Sequence, residues 1–168
     1  IDLIEQNKFS LNKETICSLH ELVGRDEARH CGNFRGHQVF IEQSNYIPPK
    51  SEYLEKIFAE GVSFLNSMNN TQEKAVCSFL FLARSQFFSD CNKRTANLVM
   101  NGLLMQAGFY PLNIQGEQFL EKMAVFYETA DATEVIKEIH EIALCQYRID
   151  GAEIEAHAQE IKTEQQHL

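Results

Sequence analysis

The sequence predicts an all-α domain, and three observations point to that class. Apolar residues recur at helical spacing in six or so segments between residues 10 and 147. Residues that favour extended structure are concentrated in one stretch, residues 32–49. The chain of 168 residues is 44% hydrophobic, which is enough for one core and too much for a disordered chain. We therefore expect one domain over 1–168, with a core at about 10–148 and a polar tail, 149–168, that can be helical.

The first predicted helix covers residues 10–24. Ser10 can cap its start, and Gly24 suits the position just after its end. His20 lies inside the apolar stripe of this helix, where packing is a simpler interpretation than a functional role. The stripe consists of Ile16, Leu19, Leu22 and Val23.

Residues 32–49 break the helical pattern and predict a small β-hairpin on the helical body. The Ser44-Asn45 pair can turn the chain between two short strands. An isolated hairpin is marginal in water, so this one should lean on the helices, and its free edge can pair with an extended peptide. The residues that favour strands are Val39, Phe40, Ile41, Tyr46 and Ile47.

Five more helices are predicted after the hairpin. They cover residues 50–67, 72–86, 93–107, 116–129 and 132–147. The second of these, QEKAVCSFLFLARSQ, has little polar face and should be central and buried. Gly108 and Pro111 end the third, and Asp131 with Glu134 resembles a capping box at the start of the last. The positions of the third that should face inward are Leu98, Val99, Leu103 and Leu104.

Charge and cysteine content exclude several classes of protein. Lys plus Arg number 15 against 24 for Asp plus Glu, and no basic patch is visible, so nucleic acid is not expected as a partner. The five cysteines form no CxxC pair, which argues against a disulfide framework or a zinc ribbon. We expect a reducing compartment, the cytoplasm or a host cytoplasm. No apolar run approaches the ~20 residues of a membrane span, so no membrane partner is expected, and the opening IDLIEQNKFS is not typical of a signal peptide.

The stretch SDCNKR, residues 89–94, has the residue types of a phosphate and metal site at the start of a helix. The first amides of a helix lack intrahelical partners, and the helix dipole favours an anion there. Asp90 is a hard oxygen ligand of the kind Mg²⁺ takes beside phosphate, and Arg94 suits bidentate phosphate contact. Cys91 is small enough to let phosphate approach, and Asn92 can cap the helix and donate a hydrogen bond. The alternative is that Asp90 and Asn92 only cap the helix.

The same stretch resembles the Fic motif, His-x-Phe-x-Asp/Glu-Gly/Ala-Asn-Gly/Lys-Arg. In QFFSDCNKRTA the matching residues are Phe88, Asp90, Asn92, Lys93, Arg94 and Thr95. GNFRGHQVFIEQSNYIPP is similar to the family's Gly-x-x-Arg segment and its β-hairpin flap. LVMNGLLMQAGFYP and FYETADATEVIKEI resemble the helices that follow the motif. The resemblance covers about 20–145.

This resemblance implies a Fic-like helical bundle and a reaction. The motif would lie between two central helices with the flap beside it, and AMP would pass from ATP, with Mg²⁺, to a hydroxyl side chain of a target protein. By motif match Asp90 would hold Mg²⁺, and Arg94 would contact phosphate during catalysis. The residues expected at the nucleotide are Cys91, Asn92, Lys93, Arg94 and Asn97. The residues expected to bind the target or a regulatory protein are Val39, Phe40, Ile41 and Tyr46.

The sequence departs from the family pattern at three positions. Gln86 stands where the family has its catalytic His, and a Gln amide cannot act as a general base, a loss of about 10²–10⁴ in rate. His30 and His37 are weak candidates to replace it. Asn97 removes a second Arg that members transferring AMP often carry. Cys91 replaces Gly or Ala, and a thiol at a helix N-terminus is either reactive or merely tolerated.

Three hypotheses follow. The first is a degenerate Fic-type domain that binds a nucleotide or a partner peptide and transfers AMP slowly or not at all. The second is an active nucleotidyl- or phosphotransferase with altered chemistry. The third is a helical protein-interaction module with no nucleotide site.

Overall fold

The computed structural model describes residues 2–6, 8–25, 30–42, 44–114 and 116–145, and over these ranges the regular elements are helices. The helices are α1 (Asp2–Glu5), α2 (Lys13–Gly24), α3 (Leu54–Asn66), α4 (Thr71–Ser85), α5 (Asn92–Gln106), α6 (Glu117–Thr129) and α7 (residues 133–145). A 3₁₀ turn, Ser51–Tyr53, leads into α3. The predicted all-α class is confirmed, and the predicted tail at 149–168 lies outside the described residues. No helix in these ranges is long and apolar enough to cross a membrane.

Helices α4 and α5 form the centre of the domain, as the apolar 72–86 segment predicts. They pack against each other most extensively, with α2 against α5 and α3 against α4. Phe119 of α6 meets Phe79 of α4 at a ring distance of 6.0 Å. The buried residues at the centre include Ala75, Phe79, Leu82, Ala83, Ala96, Val99, Met100 and Leu103. The loop between α4 and α5, residues 86–91, is therefore anchored at both ends in the core; we call it the motif loop.

Two details of the predicted helices are wrong. Asn12 rather than Ser10 caps α2, because the Thr15 N–H donates to Asn12 Oδ1 at 2.8 Å. The inward face of α2 is Ile16, His20 and Gly24, spaced by four, so Leu22 falls on the outer side and is 63% exposed. Leu98 of α5 is exposed for the same geometric reason.

Half of the predicted capping box at the start of α7 is present. Asp131 Oδ1 accepts from the Thr133 N–H at 2.9 Å and from the Thr133 hydroxyl at 2.6 Å. Glu134 does not complete the box, because the Asp131 N–H donates to Thr129 Oγ1 at 3.1 Å and the Glu134 carboxylate accepts from Lys137 Nζ at 2.7 Å. Asp131 therefore caps the helix alone.

The predicted β-hairpin is not formed in the described residues of 30–50. We call residues 37–49, of which residue 43 is not described, the flap segment. Its two legs are joined by side chains instead of a backbone ladder: Arg35 donates to the carbonyls of His37 and Pro49 at 2.6 and 2.5 Å. Gln38 Nε2 donates to the carbonyl of Pro48 at 2.9 Å. Since these side chains occupy the carbonyls, strand pairing is not needed to close the segment.

The tip of the flap segment is fixed to α6. Glu128 Oε1 accepts from the Asn45 N–H at 3.0 Å and from the Ser44 hydroxyl at 3.4 Å. The Tyr46 ring stacks on Tyr127 of α6, with centroids 6.2 Å apart. The segment thus lies beside the motif loop and against α6, and the three surround one cleft.

Candidate functional site

A cleft of about 810 Å³ opens between the motif loop, the start of α5, the flap segment and α6. Its size falls within the usual range for small-molecule sites, roughly 300–1,000 Å³. The residues that line it are Phe40, Ile41, Glu42, Ser44, Gln86, Ser89, Asp90, Cys91, Asn92, Lys93, Arg94, Glu117, Leu120, Glu121, Ala124 and Tyr127. The SDCNKR stretch therefore faces a cavity of ligand size.

The motif loop has an unusual backbone at both of its ends. Gln86, which ends α4, has φ 51°, and Cys91, which precedes α5, has φ 57°. Each left-handed residue other than glycine costs about 1–2 kcal/mol. The surroundings must hold the loop in this shape, which aims the N-terminus of α5 at the cleft.

Gln86 is bonded into the protein through both ends of its side-chain amide. Its Nε2 donates to the Ala83 carbonyl at 2.7 Å, and its Oε1 accepts from Asn92 Nδ2 at 3.0 Å. The first bond satisfies a carbonyl in the last turn of α4. An amide has no protonation equilibrium near neutral pH, so this side chain supports the loop and cannot accept a proton from a hydroxyl.

Asn92 holds the motif loop closed from inside. Its Oδ1 accepts from the Phe88 N–H at 2.9 Å, and its Nδ2 donates to the Phe88 carbonyl at 2.9 Å as well as to Gln86. The residue is only 6% exposed. Both amide protons are engaged, so the side chain sets the shape of the loop. A contribution of Asn92 to phosphate binding would then come from its backbone N–H.

The polar side chains at the start of α5 are arranged around Cys91. Asp90 Oδ1 accepts from the Cys91 N–H at 2.6 Å, and Arg94 Nη2 donates to Cys91 Sγ at 2.9 Å. Cys91 is 4% exposed. Partial burial lowers the pKa of the Lys93 ammonium. Two cations thus lie at a helix N-terminus, where the dipole also favours an anion.

The donor set fits a magnesium ion only in partnership with a phosphate. Among the residues that the structure describes, no three His, Cys, Asp or Glu side chains form a group that could hold a metal. Asp90 offers one carboxylate beside the start of α5, where the helix dipole favours an anion. Mg²⁺ is commonly held by one or two carboxylates plus substrate phosphates and water, so Asp90 with a nucleotide phosphate meets its needs.

His20 supports the motif loop from behind. The Gly32 N–H donates to His20 Nδ1 at 2.9 Å, so the ring proton is on Nε2, which lies 3.2 Å from the Asp90 carbonyl. The ring also stacks on Phe88, with centroids 3.8 Å apart. Burial lowers the pKa of His20, only partly opposed by the Asp90 carbonyl. The packing interpretation of His20 is correct, but its partners are the backbone of the site, which sequence spacing alone does not reveal.

One face of α6 forms the far wall of the cleft. Its residues recur at helical spacing: Glu117, Leu120, Glu121, Ala124 and Tyr127. Sequence periodicity does not identify these residues as part of a site, because it shows that the helix has an apolar face and not what that face contacts. Carboxylates on this wall stand across the cleft from Lys93 and Arg94, so the cavity carries both signs of charge.

Several residues selected from the sequence lie outside the cleft lining. Tyr46 packs on Tyr127 and on the Arg84 guanidinium, 4.3 Å from its ring centre. Asn97 lies further along α5, where its Oδ1 accepts from Asn101 Nδ2 at 3.4 Å. The residues of this group are Val39, Tyr46, Asn97, His30 and His37. Phe40 and Ile41 of the flap segment do line the cleft, together with the whole of the 89–94 stretch.

Comparison with known proteins identifies the family and the fold. The model of the Fic/DOC family matches residues 10–104. Proteins named protein adenylyltransferase Fic are 35% identical over 66% of this chain in Nematostella vectensis and 29% identical over 87% of it in Aedes aegypti. The chain spans only 26% and 30% of those two relatives.

Solved structures share the fold. Fic-1 (residues 134–508) from C. elegans superposes with a TM-score of 0.75 at 21% identity, covering 92% of this chain and 47% of that one. A Fic family protein from Desulfovibrio desulfuricans G20 gives 0.72 at 18% identity, covering 90% and 50%. Motif, fold and family match therefore agree that this chain belongs to the Fic/DOC family.

Proposed function

We propose that this domain binds a nucleotide with Mg²⁺ in the cleft and that its transfer of AMP to a protein hydroxyl is impaired or absent. The single observation that carries the proposal is the side chain of Gln86. It stands at the family's base position, and both ends of its amide are bonded to Ala83 and Asn92. The loop shape is thereby kept while the proton acceptor is missing.

The start of α5 supports the nucleotide part of the proposal. Backbone amides of the first turn, the helix dipole and the charges of Lys93 and Arg94 all favour a phosphate at the same place. Asp90 supplies one carboxylate for Mg²⁺, whose remaining ligands would be phosphate oxygens and water. Bound Mg²⁺ would neutralise phosphate charge, and Arg94 would stabilise the rest.

The flap segment supports the protein-partner part of the proposal. Phe40 is 79% exposed at the cleft, and Ile47 is also strongly exposed. The carbonyls of Val39 and Ile41 already accept from Gln38 Nε2 and from the Ser44 N–H, so an extended peptide would pair with the backbone of Phe40 between them, as in strand addition. An extended target segment would lie across Val39, Phe40 and Ile41, with a hydroxyl side chain reaching toward Gln86.

The first experiment measures thermal stability with and without ATP and Mg²⁺, in the wild type and in Arg94→Ala. A ligand at 100 times its dissociation constant stabilises the folded state by roughly 2.7 kcal/mol, which a melting curve resolves. We expect this shift in the wild type and its loss in Arg94→Ala. Arg25→Ala, an exposed residue after α2, is the matched control and should keep the shift. No shift in the wild type would overturn nucleotide binding.

Gln86→His then tests the missing base. We expect AMP transfer to a protein substrate to rise by about 10²–10⁴ over the wild type. Rapid transfer by the unmodified protein would overturn the impaired state.

An active transferase with a different base is the second candidate, and the carboxylates of Glu117 and Glu121 in the cleft wall favour it. This second candidate predicts that the wild-type protein transfers a nucleotide or phosphate group and that Asp90→Ala abolishes the transfer. Transfer that survives this change would exclude the cleft as its source.

A further inference from the structure

Arg35 is a buried cation with an unusual set of partners. It is 3% exposed, and its guanidinium donates to three backbone carbonyls: Gln86 at 2.6 Å, His37 at 2.6 Å and Pro49 at 2.5 Å. No carboxylate pairs with it among the residues that the structure describes. A charge buried without a counter-ion is costly, so its position needs a physical reason.

The C-terminus of α4 supplies part of that reason. Gln86 ends the helix, and its carbonyl lies at the negative end of the helix dipole, where a cation is favoured. Hydrogen bonds from an ionised donor are also stronger than those between neutral groups. Burial lowers the pKa of the Arg35 guanidinium, yet an arginine in a protein remains charged.

The three carbonyls belong to different parts of the site. His37 and Pro49 are the two ends of the flap segment, and Gln86 begins the motif loop. The backbone adds a fourth link, because the Arg35 N–H donates to the Phe87 carbonyl at 2.9 Å. One residue therefore joins both ends of the flap segment to the motif loop.

The connection continues inside the motif loop. Gln86 Oε1 accepts from Asn92, whose amide in turn holds both backbone groups of Phe88. A displacement of the Gln86 carbonyl would therefore move the Gln86 side chain and change the geometry of the hydrogen bonds that set the loop shape. At the tip of the flap segment, Glu128 holds Ser44 and Asn45 without contacting Arg35.

We propose that Arg35 is a positioning residue that couples the flap segment to the motif loop, so that loosening one loosens the other. The coupling itself stands on the contacts above. Its consequence, that a peptide on the flap segment and a nucleotide at α5 change each other's affinity, rests on the proposed function and follows from the reciprocity of linkage.

Hydrogen–deuterium exchange of the whole chain tests the coupling without any ligand. Glu128→Ala removes the two bonds at the tip of the flap segment and leaves every Arg35 contact in place. We expect amide exchange to rise at least about threefold in residues 37–47 and also in the motif loop. Glu60→Ala, on the exposed face of α3, is the control and should change neither. Faster exchange in the flap segment with an unchanged motif loop would overturn the proposal, as would no change in either.

Arg35→Lys makes the test specific to the guanidinium. Lysine keeps the charge, but its three N–H donors are on one nitrogen, whereas Arg35 bonds the three carbonyls from Nε, Nη1 and Nη2. In the Arg35→Lys background, Glu128→Ala should still accelerate exchange in the flap segment while the motif loop no longer responds. A melting temperature near that of the wild type will show that Arg35→Lys is folded. A motif loop that responds as strongly as in the wild type would overturn the role of Arg35.

Exchange in the presence of ATP and Mg²⁺ separates this proposal from the proposed function. Bound nucleotide should slow exchange of the flap segment in the wild type and not in Arg35→Lys. Absence of nucleotide binding would overturn the proposed function, whereas the Glu128→Ala result would still decide the coupling.

Discussion

The motif loop and the flap segment face the same cleft, but they are held in different ways. The motif loop is fixed from inside: Asn92 bonds to both backbone groups of Phe88, and the backbone is left-handed at Gln86 and Cys91. The flap segment is held at its two ends by Arg35 and at its tip by Glu128 and by the stacking of Tyr46 on Tyr127. One wall is therefore shaped before a ligand arrives, and the other can adapt between its anchors.

This difference matches the two kinds of ligand that we propose. A phosphate has one shape, so a preorganised loop binds it without further ordering. Target proteins differ in sequence, so a surface that binds mainly their backbone groups can accept several of them. The following changes test whether the contrast is real.

The largest difference should appear between two asparagines. Asn92→Ala leaves the buried N–H and C=O of Phe88 without their partners, at about 1–3 kcal/mol for each. We expect the free energy of unfolding to fall by about 2–4 kcal/mol in urea titrations.

Asn45→Ala in the flap segment is the matched control. Only the backbone N–H of Asn45 is anchored, and its side chain is exposed, so the change should stay within about 0.5 kcal/mol. Equal losses in the two variants would show that the motif loop is no better fixed than the flap segment.

The next effect is a dependence of stability on pH that originates at His20. Burial lowers the pKa of His20 in the folded state below its usual 6.5, and the charged groups that act on it are Asp90 and Arg94. The unfolded chain therefore binds the proton more readily, and stability falls as pH drops below about 6.5 toward the lowered value. The slope can reach about 1.4 kcal/mol per pH unit.

His20→Asn isolates this contribution, because the amide can replace one hydrogen bond but does not titrate. Urea unfolding between pH 5 and 7.5 should show a steeper slope in the wild type than in the variant. Asp131, whose pKa is lowered by the hydrogen bonds from Thr133, loses its stabilisation in a lower window. Identical slopes between pH 5 and 7.5 would mean that His20 is not held neutral behind the loop.

Backbone strain should give a smaller effect, of about 1 kcal/mol. Ala130, which ends α6, has φ 62° and is exposed, so Ala130→Gly relieves the left-handed strain and should stabilise by about 0.5–1 kcal/mol. Cys91→Gly relieves similar strain but loses a buried sulfur and its contact with Arg94, so it should gain less. Thermal melts of both variants test this order. A larger rise in melting temperature for Cys91→Gly would show that the strain relieved at Cys91 exceeds the stabilisation lost with its sulfur.

The sequence predicts the helical body and places the start of α5 within one residue, because both depend on local rules. The sequence pattern predicts a start at Lys93 with Asn92 as the cap, whereas the helix begins at Asn92, whose side chain bonds to Phe88 and does not cap it. The apolar run of α4 needs only periodicity, and the proposal of a phosphate site rests on a polar loop before a helix, which is also a local pattern. The same rules wrongly place Leu22 on the buried face. The apolar residues of this helix are spread over a wide arc, and their spacing does not show which part of that arc packs on the neighbouring helix.

The flap segment is missed for a different reason. Its residues have the composition of a hairpin. Arg35 and Gln38, however, donate hydrogen bonds to the carbonyls at its ends, and Glu128 of α6 accepts a hydrogen bond from its tip. Those partners are brought together by the fold, so strand propensity cannot anticipate them. The wall of α6 was missed likewise, since Leu120 and Glu121 look like any exposed helical positions.

The smallest effect on stability should come from Phe40. Its ring is exposed at the cleft and contributes little to the core, so Phe40→Ala should change the free energy of unfolding by less than about 0.5 kcal/mol. Tyr46→Ala, in the same segment, should cost about 1–2 kcal/mol, because it removes the ring that packs on Tyr127 and Arg84. Urea titration measures both. A fall of more than about 1 kcal/mol in the free energy of unfolding of Phe40→Ala would mean that the flap segment is packed as firmly as the motif loop. The proposal that this segment adapts to different targets would then be wrong.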